Sequence, residues 1–330
     1  MEGAEPVSEA VEKPGRSPGH QAGSERGRGV GVTVPTCETA SVEPAQARAV
    51  WHELEAIHAV TYFAPECRDA MKGVGLRGFW MGYFASRAAP LGPATAGVVT
   101  AAFYNFRPDM VGRSIPDAWK LATPASILAA RADAAAAALH RLAPGARTDL
   151  ATLLAVLHRS IEQADGEGRA LFTANRAVTT GGVGVGLGGL WQAATTLREH
   201  RGDAHVAVLT GSGLDWCEAH VLFAAARGEP PAVLRDNRGW TADDGDRATD
   251  RLRRRGLVTA GGGTTADGHR LHEDVERRTD ELAAQPYATL SPEEVGTVIR
   301  GLRAVARRVV AAGEIPFPNP IGLPAPGRDG

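Results

Sequence analysis

The chain has 330 residues, of which 43% are hydrophobic and 22% are charged, a composition typical of folded globular proteins. Its 36 basic and 38 acidic side chains nearly cancel, which excludes a global electrostatic attraction to nucleic acid or to an anionic membrane. No apolar run approaches ~18 residues, and the three cysteines, Cys37, Cys67 and Cys217, are widely spaced. The sequence therefore predicts a cytoplasmic protein without a membrane span or a disulfide framework.

Residues 1–43 consist mostly of Gly, Pro, Ser, Glu and Arg, and they predict a disordered tail because almost nothing in them can be buried. The next segment predicts a helix, since Val50, Leu54 and Ile57 recur at steps of three and four. His58 lies on the same apolar face. It is either a hydrogen-bonded core residue or a residue of a functional site.

The apolar, Gly-rich stretch 74–100 predicts a central helix of the fold. Trp80, Tyr83 and Arg87 follow one side of this helix, and Tyr104 lies in the aromatic patch that comes next. A buried Arg87 requires an anionic partner, which is either a structural carboxylate or an anionic group of a ligand. We expect the three aromatic side chains to contact that ligand.

A second apolar stretch, 185–212, resembles the segment 74–101 when the two are aligned without gaps. Seven of the 28 aligned positions are identical, including Trp80 with Trp191 and Arg87 with Arg198. The similarity reflects either an internal duplication or chance in a chain rich in Ala and Gly. A duplication would place two related helix pairs around one cavity.

The segment 197–205 is the densest polar cluster of the chain. On an uninterrupted helix, Arg198, Arg201 and His205 would share one face, where the arginines could bind an anion. Asp203 could then orient His205 as a general base. The alternative is a solvated helix end with intrahelical ion pairs. The histidine spacings here do not align two ligands on one helix face, so no metal site is predicted.

The order of elements after residue 229 is that of a winged helix-turn-helix domain. Thr241 and Asp244 form a capping box, and a Gly-rich hairpin tip at 261–263 separates two further helices. The N-terminus of the second helix of the motif carries Asp243 and Asp246 where a DNA reader needs positive charge. Ten arginines against eleven acidic residues across 232–285 also give no basic excess.

The predicted fold is mainly α, with a helical ligand domain at 44–228 and a winged helix-turn-helix domain at 229–285. Residues 286–330 predict a C-terminal helix and a Pro-rich extended tail that packs on the body. We expect this tail to close the cavity.

Several long motifs resemble those of one family. They are HAVTYFAPE at 58–66, GLRGFWMGYFASRAAPLGP at 75–93, FYNFRP at 103–108, PDAW at 116–119, LWQAATTLREHRGDAH at 190–205, RGW at 238–240 and PFPNPIGLP at 316–324. The chain resembles the actinobacterial SalK-like, or SCO-type, winged helix-turn-helix family, whose members usually have Gly where this chain has Ala204. Several similar proteins are encoded beside natural-product pathways. The resemblance implies an architecture and a link to antibiotic biosynthesis, and it implies no established catalytic residues.

Two functional hypotheses follow. The first is a cofactor-independent, lyase-like or cyclase-like enzyme or enzyme subunit of specialised metabolism, which acts on an anionic small molecule by elimination or by ring closure with loss of an anion. Its expected catalytic residues are His205, Asp203 and His58. Its expected ligand-binding residues are Arg87, Arg198, Arg201, Trp80, Tyr83, Tyr104 and Trp191. No Walker, Rossmann, zinc or nucleophile motif is present, so no cofactor is predicted.

The second hypothesis is a ligand-sensing winged-helix transcriptional regulator, which the acidic helix disfavours without excluding DNA. A non-enzymatic scaffold protein is a third reading. Either a homodimer or a heterodimer is compatible with the sequence, and no membrane partner is expected.

Overall fold

The structure is a computed structural model that describes residues 42–146, 148–180 and 185–323, with only the backbone of Thr180. The described residues belong to one compact unit and form a mainly helical protein. The tail predicted at 1–43 lies, up to residue 41, outside the described residues.

The α-helices of the described residues are, in chain order, α1 (Pro44–His58), α2 (Val60–Phe63), α3 (Pro65–Gly73), α4 (Gly78–Ala88), α5 (Ala96–Phe103), α6 (Pro108–Gly112), α7 (Ala118–Leu121), α8 (Pro124–Leu142), α9 (Leu150–Gln163), α10 (Ala170–Thr180), α11 (Gly186–Gly211), α12 (Trp216–Arg227), α13 (Pro231–Asn237), α14 (Ala242–Arg254), α15 (Ala266–Ala283) and α16 (Pro292–Ala311). Short 3₁₀ helices at Ala89–Leu91 and Gln285–Tyr287 follow α4 and α15.

The central element is α11, a helix of 26 residues that packs against α1, α8, α9, α10 and α15. Its N-terminal half is apolar nearly all round, with Leu190, Trp191 and Leu197 buried, and a helix of that kind is stable only inside a core. The sequence pattern instead predicted the stretch 74–100 as the central helix. That expectation is wrong, because Phe79 on α4 is 47% exposed.

A second core surrounds α4, where Phe84, Phe103 and Phe106 are buried against one another. Their ring centroids lie 5.0–6.3 Å apart, in edge-to-face and tilted arrangements that favour aromatic pairs. This aromatic core connects α4 and α5 to the loop that follows, and its outer edge forms part of the site described below.

The two segments that resemble each other in sequence fold differently. The first ends its helix at Ala88, passes through a 3₁₀ turn at Pro90 and restarts after Gly92, whose φ is 75°. The second runs as one helix through Asp203, the residue aligned with Gly92. Proline ends a helix because it lacks the amide donor and clashes with the preceding turn. Of the two readings of this similarity, the described residues give no support to an internal duplication of helix pairs.

A helix-turn-helix segment follows α12. In the capping box of α14, Thr241 Oγ1 accepts from the Asp244 amide at 3.1 Å and the Asp244 carboxylate accepts from the Thr241 amide at 3.0 Å. Where the sequence predicted the strands of a wing, the described residues form a single antiparallel bridge between Val258 and Thr264. Leu252 of α14 packs in a third core with residues of α11, α12 and α15.

The Pro-rich segment after α16 lies against the body, with Ile315 and Leu323 buried in the main core. The side chain of Asn319 fixes its turn, since the amide donates to the Leu323 carbonyl at 2.8 Å and the amide oxygen accepts from the Leu323 N–H at 3.0 Å. The turn brings Pro320 to the edge of the helix-turn-helix segment.

Gly268 lies where α15 packs closely on the segment 257–264, which contains the bridge between Val258 and Thr264. A Cβ added at Gly268 would lie 2.0 Å from the Leu257 carbonyl oxygen, so Gly268→Ala must displace the backbone. We expect a loss of about 2 to 3 kcal/mol in the free energy of unfolding, measured by urea denaturation. Gly211→Ala is the matched control, because nothing lies within 4 Å of its Cβ and helical Ala is up to about 1 kcal/mol better than Gly. Equal stability of the two variants would contradict the prediction.

Candidate functional site

A cavity of about 870 Å³ lies between α1, α11, α12, α15 and the segment around Pro320. Its size is that of pockets that hold drug-sized ligands. Among the described residues, eight arginines line it: Arg48, Arg87, Arg198, Arg201, Arg227, Arg238, Arg277 and Arg303. We call it the arginine-lined cavity.

The predicted ligand-binding arginines Arg87 and Arg198 converge on one buried carboxylate, Glu199. Arg87 binds it with two hydrogen bonds of 2.8 and 2.9 Å, and Arg198 donates to it at 3.1 Å and to Glu55 at 3.2 Å. Burial alone would raise the pKa of Glu199, but the two guanidinium groups outweigh it and hold that pKa well below its usual range. We call these four residues the Glu199 network. Of the two partners predicted for Arg87, the structure shows the structural carboxylate.

A second network neutralises Arg201. Arg201 pairs with Asp280 at 2.5 Å and with Glu276 at 3.6 Å, and Arg48 contacts the same two carboxylates. The Arg201 guanidinium also stacks over the Trp51 ring, 4.5 Å from its centroid. We call Arg48, Arg201, Glu276 and Asp280 the Asp280 network. Each network contains two arginines and two carboxylates and therefore carries no net charge.

Arg238 differs from the other arginines of the cavity, because it contacts no carboxylate within the described part of the chain. Its Nη2 donates to the Pro320 carbonyl at 2.7 Å, its Cζ lies 4.5 Å from the Phe106 ring centroid, and its buried Nε has no hydrogen-bond partner among the described residues. Burial lowers the pKa of Arg238, yet an arginine remains a cation in proteins. Arg238 is thus a cation that the rest of the described structure does not neutralise.

Sequence reasoning missed Arg238 as a site residue, since the residue entered only as part of the motif RGW at 238–240. The available signal in the sequence was its place in the motif Arg238-Gly239-Trp240. In the structure, the neighbouring Trp240 donates to the Asn105 carbonyl at 2.9 Å and so fixes the turn against the body. The partner of a long cationic side chain cannot be read from the residues beside it.

His205 is the one predicted catalytic residue that lines the cavity. Its Nδ1 lies 3.0 Å from Thr279 Oγ1, and that hydroxyl donates its proton to the Val275 carbonyl at 2.7 Å. The hydroxyl must therefore accept from Nδ1–H, which leaves the lone pair on Nε2. Burial lowers the pKa of His205, which favours this neutral form.

Asp203 does not orient His205, contrary to the sequence-based prediction. Its carboxylate accepts from the Phe172 amide at 2.9 Å, whereas Thr279 holds His205. Residues two apart on a helix do not face each other, so the uninterrupted α11 separates the two side chains. Burial raises the pKa of Asp203 to about 6. Arg198, Arg201 and His205 do share a face of α11, and all three line the cavity.

His58 lies in the core and is only 3% exposed. Both of its ring nitrogens are engaged, with Thr195 Oγ1 at 2.9 Å and with the Tyr62 hydroxyl at 2.8 Å. It does not line the cavity, so the structure places it as a hydrogen-bonded core histidine.

Of the four aromatic residues predicted to contact a ligand, Tyr83 lines the cavity and the other three do not. Trp191 is 1% exposed in the main core, and Trp80 stacks on Phe84 with centroids 6.0 Å apart. The Tyr104 hydroxyl donates to the Leu214 carbonyl. Phe103 and Phe106 line the cavity instead.

The exposed surface of α14 carries no net charge, because its three exposed aspartates balance its three exposed arginines. They are Asp243, Asp246, Asp250, Arg247, Arg253 and Arg254. Arg247 pairs with Asp243 and Asp244, and Arg253 pairs with Asp250 at 2.6 Å. This surface offers little to attract phosphates.

The fold and the site together define a mainly helical protein in which a helix-turn-helix segment forms one wall of a ligand-sized cavity. Compared with known protein families, the chain matches a helix-turn-helix family over residues 47–316. The chain therefore belongs to that family. Comparison with curated proteins and with solved structures gave no match.

The described residues were also compared with the requirements of a membrane span and of a metal site. No helix in the described ranges is long and apolar enough to cross a membrane. Across the same ranges, no group of three or more His, Cys, Asp and Glu side chains is arranged to hold a metal ion. Cys67 and Cys217 are buried free thiols, and burial raises the pKa of Cys67 to about 12.

The Glu199 network makes a quantitative prediction. Glu199→Gln keeps the shape of the side chain but leaves Arg87 and Arg198 with one carboxylate between them, so we expect a loss of about 3 to 5 kcal/mol in unfolding free energy. The control Glu66→Gln removes a carboxylate from an exposed pair with Arg141 and should cost less than about 1 kcal/mol. Urea denaturation at neutral pH measures both, and a loss below 1 kcal/mol for Glu199→Gln would show that the network is not a stabilising unit.

Proposed function

We propose that this protein binds an anionic small molecule in the arginine-lined cavity and that Arg238 receives the anionic group. The observation that carries the proposal is the buried Nε of Arg238, which has no partner among the described residues beside a cavity of about 870 Å³. A cation that is partly removed from water without a counter-charge is destabilising, and an anion from solution would offset that cost. The guanidinium fork matches carboxylate and phosphate oxygens.

The arginine that would bind the ligand differs from the three that the sequence pattern indicated. Arg87, Arg198 and Arg201 are already paired with carboxylates, so they shape the wall and hold its charges in place. Arg238 takes over the role that the sequence pattern assigned to them.

As an enzyme, the protein would act without a cofactor on that molecule, by elimination or by ring closure with loss of an anion. Nε2 of His205 would take the proton from the reacting atom. The electron pair left behind would form the new bond, and the leaving group would depart as an anion with its bonding electrons. Arg238 would stabilise that anion. Thr279, rather than Asp203, would orient the base.

The resemblance to SalK-like, SCO-type proteins supports a place in actinobacterial specialised metabolism, since similar proteins are encoded beside natural-product pathways. It also supports a winged-helix arrangement for residues 229–285, in which the bridge between Val258 and Thr264 would be the base of a short wing. The domain limits at 44–228, 229–285 and 286–330 belong to the same proposal, as does a cytoplasmic location.

A ligand-sensing regulator is the second candidate, and membership of a helix-turn-helix family favours it. In such a protein the second helix of the motif, here α14, presents its N-terminal residues to the major groove. The lack of net positive charge on the exposed surface of α14 is the reason that we place this candidate second.

Arg238→Met tests the binding proposal. We expect affinity for anionic ligands to fall at least about 30-fold, or about 2 kcal/mol, because the ligand anion would be buried without its partner. Titration calorimetry with an aromatic carboxylate panel measures the change. Arg254→Met removes an exposed arginine of the same segment and should leave affinity within about twofold. Equal affinities of the two variants would refute the role of Arg238.

DNA binding separates the two candidates. Selection of the full chain against random duplex DNA at 50 mM salt should enrich no sequence, because the exposed surface of α14 has no net positive charge. A protein that reads DNA specifically would instead yield a salt-sensitive consensus bound at about 10 nM or tighter. Such a consensus would establish the regulator in place of the enzyme.

A further inference from the structure

Two hydrogen-bond acceptors of the cavity wall lack partners among the described residues, in addition to the donor Nε of Arg238. Glu55 is 1% exposed, and its Oε2 accepts from Trp51 Nε1 and Arg198 Nε, while its Oε1 has no partner. Asn105 accepts from Trp240 through its main-chain oxygen, while its side-chain Oδ1 has no partner. Both residues line the cavity. Buried polar atoms are normally paired, so each of these acceptors calls for a donor.

The same end of the cavity carries one unbalanced charge. The Glu199 network and the Asp280 network are each neutral, so Arg238 adds a single positive charge. Arg238 stacks on Phe106 and Arg87 stacks on Phe103, and these rings lie 6.3 Å apart, which places Arg238 beside the Glu199 network. One negative charge on a ligand balances this region, and a second would remain uncompensated.

We propose that the ligand is a monocarboxylate that also carries a neutral hydrogen-bond donor, either a hydroxyl or an amide N–H. This inference rests on the proposed binding of an anion. The carboxylate pairs with Arg238, and the neutral donor serves Oε1 of Glu55 or Oδ1 of Asn105. An ammonium group would satisfy the same acceptors, but it would cancel the ligand's charge and leave Arg238 unbalanced.

The remaining wall selects an apolar or aromatic body. Trp51, Tyr83, Phe103 and Phe106 line the cavity, and the Tyr83 and Phe106 rings lie 5.4 Å apart. Aromatic walls with a few placed polar groups are typical of small-molecule sites. Hydroxy acids and N-acyl amino acids with an aromatic body therefore fit the inferred class.

A matched set of probes tests the inference by titration calorimetry on the full chain. The probes are 2-hydroxy-3-phenylpropanoate, its O-methyl ether, 3-phenylpropanoate, phenylalanine, benzylmalonate and 2-phenylethyl sulfate. We expect the hydroxy acid to bind about fivefold tighter than 3-phenylpropanoate or the ether, as one neutral hydrogen bond would give. The zwitterion, the dianion and the sulfate should each bind more weakly than the hydroxy acid.

Two variants test whether the preference for the hydroxy acid depends on Asn105 and Glu55 of the cavity wall. Asn105→Leu, with Glu55→Gln as a second variant, should reduce the advantage of the hydroxy acid over 3-phenylpropanoate. Thermal denaturation confirms that each variant is folded. Arg238→Met should weaken the binding of every carboxylate probe.

The outcomes separate this inference from the proposed function. Equal binding of 3-phenylpropanoate and the hydroxy acid, both dependent on Arg238, would overturn the inference of a donor and leave anion binding intact. Tightest binding by benzylmalonate or phenylalanine would overturn the inferred net charge of the ligand. Tightest binding by the sulfate would overturn the inferred carboxylate. Carboxylate binding that is absent or independent of Arg238 would overturn the proposed function itself.

Discussion

The contact on which the site depends is the pair of hydrogen bonds between Arg87 of α4 and Glu199 of α11. Glu199 is fully buried, and removing a carboxylate from water costs more than one ion pair returns unless further donors satisfy it. Arg198 donates a further hydrogen bond to Glu199, and it also donates to Glu55 on α1. Three helices from distant parts of the chain are thereby held in one geometry, and residues of all three line the cavity.

The same contact changes what an arginine-rich cavity can do. Seven of the eight cavity arginines contact a carboxylate, so the number of guanidinium groups overstates the attraction for an anion. A paired arginine can turn to a ligand only by leaving its own carboxylate unpaired. Arg238 carries no such penalty, because its present partners are a carbonyl oxygen and an aromatic ring. The anion site follows from the distribution of partners, which is a property of the fold.

The sequence predicted what depends on neighbours along the chain. The capping box at Thr241 and the shared face of Arg198, Arg201 and His205 are local patterns, and the structure contains both. It could not predict pairings between distant residues. Glu199 lies 112 residues from Arg87, and it was adjacent to the predicted arginines without being recognised as their partner. An internal duplication was one of two readings of the similarity between 74–101 and 185–212, and Pro90 counts against it, because proline ends a helix whatever the similarity around it.

The position of Arg238 also bears on the relation between the cavity and the helix-turn-helix segment. Arg238 lies in the turn between α13 and α14, and its backbone carbonyl accepts from the Arg107 amide at 2.9 Å. An anion bound to its side chain would add a contact between this turn and the cavity wall formed by α1 and α11. Any displacement of the turn would then weaken ligand binding. By linkage, bound ligand would disfavour that displacement by the same free energy. An enzyme would use this coupling to close its site, and a regulator would use it to position α14. The enzyme and regulator hypotheses therefore depend on the same residue, and the charge on α14 is the feature that separates them.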